Sequence, residues 1–275
     1  VARPLAAVAA GARRLASGER GVQLPDEGSA EVRDVSVALG ALDRALAASE
    51  GRQRDFLLSV SHELRTPLTT VKGYAEALAD GVIGPEEART VGMTLQAEAE
   101  RLEQYVADLL ALARLQSDGF SVDRTEVALD ALLMTASRAW RARAAQARVH
   151  LVALADPVTV RTDPTRLRQV VDALVDNAMR VCAPDDTITL TCRPGSGGEG
   201  AGGVVEVRDT GPGLTAEDRA VAFEPGALHA RYAGVRPGGH GLGLAIVHQL
   251  VGAMGGAIEV SATPGGGTTF SIALP

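Results

Sequence analysis

The stretch Phe56–Leu68 reads FLLSVSHELRTPL, and the interpretation of the whole chain starts from it. It places His62 in a helical pattern beside the carboxylate of Glu63, with Thr66 one turn further along the same helix face. Pro67 has no N–H to donate to the carbonyl of Glu63, so the helix is predicted to be weak at this point. A neutral imidazole next to a candidate general base is a nucleophile, which favours a reactive role for His62.

The segments around this stretch predict a helical hairpin. Apolar residues repeat at helical spacing from Phe56 to Leu78 and again from Val91 to Ala113. Asp80-Gly81 is expected to end the first helix, and Pro85-Glu86-Glu87 is typical of the start of the second. Each helix carries an apolar stripe that one hairpin cannot bury completely. A dimer that forms a four-helix bundle is therefore expected.

Residues 1–48 carry two shorter amphipathic stretches with coiled-coil spacing, one from Leu5 to Leu15 and one from Val32 to Leu46. Between them lie helix-breaking residues, including Gly21 and Pro25. This order of helix, extended connector and helix resembles a HAMP linker, a family of segments that follow a transmembrane helix. A plain helical hairpin is the alternative interpretation.

After a short linker at Ser117–Phe120 the pattern becomes mixed α/β. Helices are predicted at 129–146, 163–182 and 241–254, and strands at 149–153, 158–162, 187–193, 204–209, 257–261 and 268–274. Asp163 is the expected N-cap of the second of these helices, and the glycine-rich insert 194–203 is expected to be a flexible loop. Trp140 and Met134 are predicted core residues. This order of elements predicts an α/β sandwich.

Composition excludes several classes of function. The chain has 275 residues, of which 46% are hydrophobic, and this is typical of a folded protein. A net charge of −7 argues against a general nucleic-acid-binding surface. Cys182 and Cys192 cannot form a disulfide framework, so a reducing compartment and buried thiols are expected. No apolar run approaches the length of a membrane span, and no signal peptide is recognised.

The stretch Phe56–Leu68 closely resembles the H-box of sensor histidine kinases of the HisKA type. The resemblance implies that His62 is the phosphoacceptor and that Glu63 acts as the base. It also implies that Thr66 helps to position a hydrolytic water for the reverse, phosphatase reaction.

Residues 163–181 read DPTRLRQVVDALVDNAMRV and resemble the N-box of the same family. Asn177 offers an amide oxygen suited to Mg²⁺, and Arg180, one turn later, is expected to meet phosphate. Ala173 departs from the family, which often has Asn there. Related ATPases (gyrase, MutL and Hsp90) carry a water-activating Glu at this place, so Ala173 favours transfer to a side chain and leaves part of the Mg²⁺ shell open.

Two glycine-rich motifs complete the resemblance. DTGPGL at 209–214 resembles the G1 box, which implies that Asp209 accepts a hydrogen bond from the adenine amino group while Gly211 and Gly213 allow close approach of the backbone. GHGLGL at 239–244 resembles the G2 box, whose helix start faces phosphate. The residues expected there are Gly239, Gly241, Leu242 and Gly243. His240 replaces a usual Ser or Thr, and Gly226 replaces an aromatic residue of the F-box that begins at Phe223.

The resemblance implies a multidomain chain. Its parts are a HAMP-like linker at 1–48, a dimerisation and histidine phosphotransfer domain at 49–116, and a Bergerat-type ATP-binding sandwich at 121–275. The implied reaction moves the γ-phosphoryl group of Mg-ATP to His62 and then to an Asp of a response regulator receiver domain. A homodimer, no nucleic-acid partner and attachment to the cell membrane through a preceding transmembrane segment are expected, with this chain on the cytoplasmic side.

Two alternatives stay open at this point. A degenerate, non-catalytic scaffold is motivated by Ala173, Gly226 and His240, and intact His62 and Asn177 oppose it. A serine kinase of the anti-sigma type shares the ATP-binding fold, but that type lacks a helical hairpin with an H-box.

Overall fold

The computed structural model describes residues 2–25, 29–115, 121–195, 202–232 and 241–275. They form two compact units, Val1–Glu63 and Leu64–Pro275. The expected fold class, long helices followed by a mixed α/β sheet domain, is confirmed. No described helix has both the length and the apolarity that crossing a bilayer requires.

The first unit contains helix α1 (Ala2–Ala16) and the beginning of helix α2 (Ala30–Ala79), with an extended connector after Gly18. Its buried apolar side chains are Val8, Leu15, Val22 and Val32. The N–H of Gly21 donates to Oδ2 of Asp43 over 2.9 Å, and Gly21 has a φ of 72° that suits a residue without Cβ. The predicted order of helix, connector and helix is therefore present.

Helix α2 is one continuous helix of 50 residues that includes Pro67. It passes the predicted domain boundary at residue 48 without a break, so that boundary remains a prediction. The predicted end of the first long helix and the predicted start of the second are confirmed, because α2 ends at Ala79, Gly81 has a φ of 67°, and helix α3 (Pro85–Leu115) begins at the expected proline. Glu86 and Glu87 lie in the first turn of α3, where they complement the helix dipole.

The α/β part of the second unit is a two-layer sandwich. Its elements are β1 Thr125–Ala128, α4 Leu129–Ala147, β2 His150–Ala155, β3 Thr159–Thr162, α5 Pro164–Val181, β4 Thr187–Pro194, β5 Gly203–Asp209, α6 Ala216–Ala220, α7 Ala227–Tyr232, α8 Gly243–Ala253, β6 Ala257–Ala262 and β7 Thr268–Leu274. The five-stranded sheet has the order β2-β4-β5-β7-β6, in which only the β2–β4 pair is parallel. A separate antiparallel pair joins β1 to β3. Helices α4, α5 and α8 pack on the main sheet, and α3 packs on α8.

Residue patterning explains these layers. In β4, Ile188, Leu190 and Cys192 are buried while the intervening threonines are half-buried, so one face of the strand meets the helices. In α5 the buried residues repeat every three or four positions, as one apolar helix face requires. They are Leu167, Val170, Val171, Leu174, Val175 and Ala178.

Asp163 caps α5 as predicted, since its Oδ1 accepts from the N–H groups of Thr165 and Arg166 over 2.9 and 3.0 Å. Three short elements were not predicted, namely β1, α6 and α7. The expectation for Met134 is wrong, because 40% of this residue is exposed on α4. The predicted linker Ser117–Phe120 and most of the glycine-rich insert lie outside the described residues.

Candidate functional site

A cavity of about 830 Å³ opens in the second unit and collects most of the predicted nucleotide-site residues. Helix α5, the loop after β5, helix α7, the start of α8 and helix α3 all contribute to its wall. The predicted residues that line it are Asn177, Arg180, Asp209, Gly213, Gly241 and Gly243. Residues separated by more than sixty positions in sequence thus meet around one space of the size that small-molecule sites have.

The other three predicted nucleotide-site residues are not among the described residues that line the cavity. Gly211 is buried beside Asp209 and donates its N–H to Oδ1 of that carboxylate over 3.0 Å. Leu242 is 1% exposed and forms the N-cap of α8, where it accepts from the N–H of Ile246. Gly239 lies outside the described residues, as does His240.

The carboxylate of Asp209 is buried, with 3% exposure, and its orientation is fixed by backbone donors. Oδ1 accepts from the N–H of Gly211 and, over 3.1 Å, from the N–H of Thr268 at the start of β7. The G1 motif predicted a role for Asp209 and the glycines, but the sequence indicated neither of these two backbone contacts. The hairpin before β7, interpreted from sequence as a structural turn, therefore also holds a predicted ligand-binding carboxylate.

Glycines make this approach possible. A Cβ on Gly267 would lie 2.0 Å from the carbonyl oxygen of Asp209, and a Cβ on Gly213 would lie 2.9 Å from the carbonyl oxygen of Gly267. Both residues have a positive φ, 101° and 73°, which disfavours any side chain. The two loops meet backbone to backbone, and the cavity edge depends on that contact.

The F-box departure at Gly226 has a local explanation. Gly226 has a φ of 78°, and its N–H donates to the carbonyl of Gly241 over 3.0 Å. An aromatic residue would be strained in this conformation. Phe223 keeps an aromatic environment, because its ring lies 6.3 Å from that of Phe270 in an edge-to-face arrangement.

Asn177 and Arg180 both border the cavity, but they differ in their surroundings. Arg180 forms an ion pair with Asp176, which also pairs with Arg143 over 3.1 Å. Asn177, one residue later and half-buried, faces the same cavity. Ala173 lines it as well, so the place where hydrolytic relatives carry a water-activating acid presents a methyl group.

The donor chemistry at Asn177 fits Mg²⁺ that arrives with a nucleotide. Mg²⁺ is usually held by one or two protein groups together with phosphate oxygens and water. The nearby carboxylate of Asp172 is already engaged, since it accepts from Trp140 Nε1 and from Arg168 Nε, each over 2.8 Å. The described part of the chain contains no group of three or more His, Cys, Asp or Glu side chains that could hold a metal ion.

Trp140 only partly fits the prediction that it is a core residue. It is half-buried and lines the cavity, with the guanidinium carbon of Arg143 5.1 Å from its ring centre. Its indole N–H is used by Asp172, so the side chain connects α4 to α5 at the cavity wall. Helical spacing alone could not distinguish this place from the core.

Helix α3 contributes a part of the wall that no motif indicated. Arg101, Gln104 and Asp108 line the cavity, although all three precede the expected nucleotide motifs in the sequence. Gln104 Nε2 donates to Oδ1 of Asp108 over 2.8 Å, and burial raises the pKa of Asp108. The α3–α8 packing, with Tyr105 and Leu112 nearly fully buried, holds these side chains in place.

The H-box residues all lie in α2. His62 and Thr66 are exposed, and Glu63 is half-buried. His62 and Glu63 belong to the first compact unit, and Thr66 belongs to the second.

Comparisons with known proteins agree with these observations. The model of the "His Kinase A (phospho-acceptor) domain" matches residues 52–118, and that of the "Histidine kinase-, DNA gyrase B-, and HSP90-like ATPase" matches residues 162–275. Sensor protein DivL of Caulobacter vibrioides is 36% identical over 253 residues, which are 89% of this chain and 31% of DivL. The chain therefore spans about a third of the length of this curated relative.

Solved structures show the same relationship. Histidine kinase AdeS of Acinetobacter baumannii is similar with a TM-score of 0.63 and 28% identity, covering 78% of this chain and 96% of AdeS. Full-length ShkA in complex with AMPPNP is similar with a TM-score of 0.58 and 31% identity, covering 80% of this chain and 45% of ShkA. With the phosphoacceptor domain and the ATPase domain matched along one polypeptide, this chain belongs to the sensor histidine kinases.

Proposed function

We propose that this chain is the cytoplasmic portion of a membrane-bound sensor histidine kinase. It transfers the γ-phosphoryl group of ATP to His62 and then to an aspartate of a response regulator, and it works as a homodimer. The observation that carries the proposal is the cavity in which Asn177 and Asp209 converge, in a chain whose exposed His62 lies in a complete H-box.

The residue roles follow from their chemistry. Asp209, with its orientation fixed, binds the adenine amino group, and Asn177 holds Mg²⁺ brought by the nucleotide. Phosphoryl transfer depends mainly on positioning and charge stabilisation, which suits a cavity that combines glycine backbone, the neutral amide of Asn177 and the guanidinium of Arg180. Glu63 accepts the imidazole proton, and Thr66 positions water for dephosphorylation of the regulator.

Arg180 meets phosphate only after it gives up some of its interaction with Asp176. Because Asp176 is also paired with Arg143, its charge stays partly neutralised when Arg180 turns away. The positively charged guanidinium of Arg180 thus lies close to the place where a triphosphate binds. The membrane location is proposed from the HAMP-like pattern of residues 1–48.

The test is incubation of the chain with γ-labelled ATP and Mg²⁺, followed by acid or base treatment. We expect label that is lost in acid and survives base, and we expect none in His62→Gln. Label with the opposite stability indicates a serine kinase. Nucleotide binding without label indicates a non-catalytic scaffold. Acid-labile label that persists in His62→Gln refutes the phosphoacceptor assignment.

A further inference from the structure

A buried carboxylate next to the cavity has more partners than its local role requires. Asp218 is 0% exposed and forms a capping box at α6, in which Oδ2 accepts from the N–H of Thr215 and the N–H of Asp218 donates to Oγ1 of Thr215. A capping box is complete with these two bonds. Asp218 nevertheless also accepts from Arg231 and Tyr232, thirteen and fourteen residues away.

These two additional donors tie α7 to α6. Arg231 Nη1 donates to Oδ1 of Asp218 over 2.6 Å, and the Tyr232 hydroxyl donates to Oδ2. Together the donors hold the pKa of Asp218 well below its usual range, with the Tyr232 hydroxyl as the largest cause. A carboxylate is costly to bury, and this one stays ionised because every side of it faces a donor.

The tie matters because of where α7 lies. Leu228 and Tyr232 line the same cavity as Asn177 and Asp209, whereas Asp218 is not among the lining residues. Helix α7 has only six residues and is too short to be stable by itself. Its position therefore depends on contacts outside the helix, and the bonds to Asp218 fix its last two residues.

We propose that Asp218 is a positioning residue for the nucleotide site: it holds the ring of Tyr232 against the cavity and thereby sets nucleotide affinity. The ring forms part of the wall, and its hydroxyl points to the carboxylate behind it. Releasing the hydroxyl lets the ring change rotamer and opens the wall, while the direct ligands of the nucleotide stay in place. The inference rests on the proposed function, since it takes the cavity as the ATP site.

The experiment measures ADP binding by titration calorimetry for the full chain and four variants. Tyr232→Phe removes only the hydroxyl, and Asp218→Asn keeps the shape of the side chain. The double variant tests whether the two residues act through each other. Glu217→Gln is the matched control, because Glu217 is adjacent, its side chain is 86% exposed, and it lies 3.9 Å from the same Arg231.

We expect the dissociation constant of ADP to rise about five- to tenfold in Tyr232→Phe, as the loss of a hydrogen bond to a charged group implies. Asp218→Asn should have a similar effect, and the double variant should be no weaker than the weaker single variant. Glu217→Gln should stay within about twofold of the parent, since an exposed ion pair contributes little.

The possible outcomes distinguish a failure of the proposed function from a failure of the positioning role. A parent chain that does not bind ADP refutes the proposed function itself. A parent that binds, with unchanged affinity in Tyr232→Phe, overturns the positioning role, and so do effects that simply add in the double variant. If Asp218→Asn fails to fold, Tyr232→Phe alone decides, because it retains the carboxylate and its bond to Arg231. A lowered unfolding temperature with unaltered ADP affinity indicates a purely structural role.

Discussion

Asp209 illustrates how a single residue acquires a function through its surroundings. Its Oδ1 is fixed by two backbone N–H groups, so the carboxylate has one orientation in the cavity. We expect Asp209→Asn to weaken ADP binding both with Mg²⁺ and with a chelator present, because the proposed contact of Asp209 with adenine does not need the metal. Asn177→Ala should lose only the Mg²⁺-dependent part. Calorimetric titrations of both variants test this, and equal losses with and without Mg²⁺ in Asn177→Ala would contradict the separate roles.

The two cysteine thiols provide a pH-dependent test at the scale of single residues. Burial, with the nearby charges of Asp209 and Asp186, raises the pKa of Cys182 to about 12, and burial raises the pKa of Cys192 to about 11. The thiolate is the reactive form, so both should react slowly with a disulfide reagent at pH 8 in the folded chain. The rate should increase as the pH rises towards these values. Cys192→Ser isolates Cys182, which is half-buried and not buried as expected, and a native rate equal to that of the urea-unfolded chain would be inconsistent with its raised pKa.

At the scale of the element, the turn before β7 carries a stability prediction. Gly267→Ala forces alanine into a left-handed backbone conformation, which costs about 1–2 kcal/mol. It also places a Cβ 2.0 Å from the carbonyl oxygen of Asp209. We expect a clear loss in the free energy of unfolding, measured by urea denaturation, and weaker ADP binding because Asp209 shifts. Gly252→Ala in α8 is the control, since that Cβ meets no atom within 4 Å and Ala favours a helix. Similar stabilities for the two variants would refute the close-approach argument.

Elements with strong local signals were predictable, and those stabilised by distant contacts were not. Two helix starts were predicted from a few neighbouring residues, and both were found where expected. One signal is Asp163 followed by Pro164, and the other is Pro85 followed by two glutamates. Helix α7 and strand β1 are too short to show a period. Likewise, motifs indicated Asn177 and Asp209, but the pairing of Asp218 with Tyr232 joins ordinary surface-type residues across fourteen positions.

At the scale of the whole molecule, exposed apolar side chains are concentrated on the long helices. The larger ones there are Val35, Val37, Leu42, Leu46, Leu57, Leu58, Leu68, Tyr74, Leu78, Met93, Val106 and Leu110. Only Met134, Val152 and Leu154 are comparable in the described α/β part. Burying apolar surface contributes about 25 cal/mol per Å², so the helices are the expected dimer contact.

This distribution predicts the effect of two charged substitutions on oligomeric state. Val106→Glu places a charge on the helical stripe, where the residue is 45% exposed, and should shift the chain towards monomer in light scattering. Leu154→Glu, at a residue that is 63% exposed on the edge strand β2, should leave the dimer intact. A dimer that dissociates only in Leu154→Glu would move the interface to the sheet.

The unbroken course of α2 has a mechanical consequence. At 1.5 Å per residue, about 48 Å of continuous helix separates Ala30 from His62, and no loop in between absorbs strain. A twist applied at the N-terminal end therefore reaches the imidazole as a rotation. The helix then has a weaker point just beyond His62, because Pro67 has no N–H to contribute to the helical hydrogen bonds. Torsion delivered along α2 is thus relieved next to His62, the proposed phosphoacceptor.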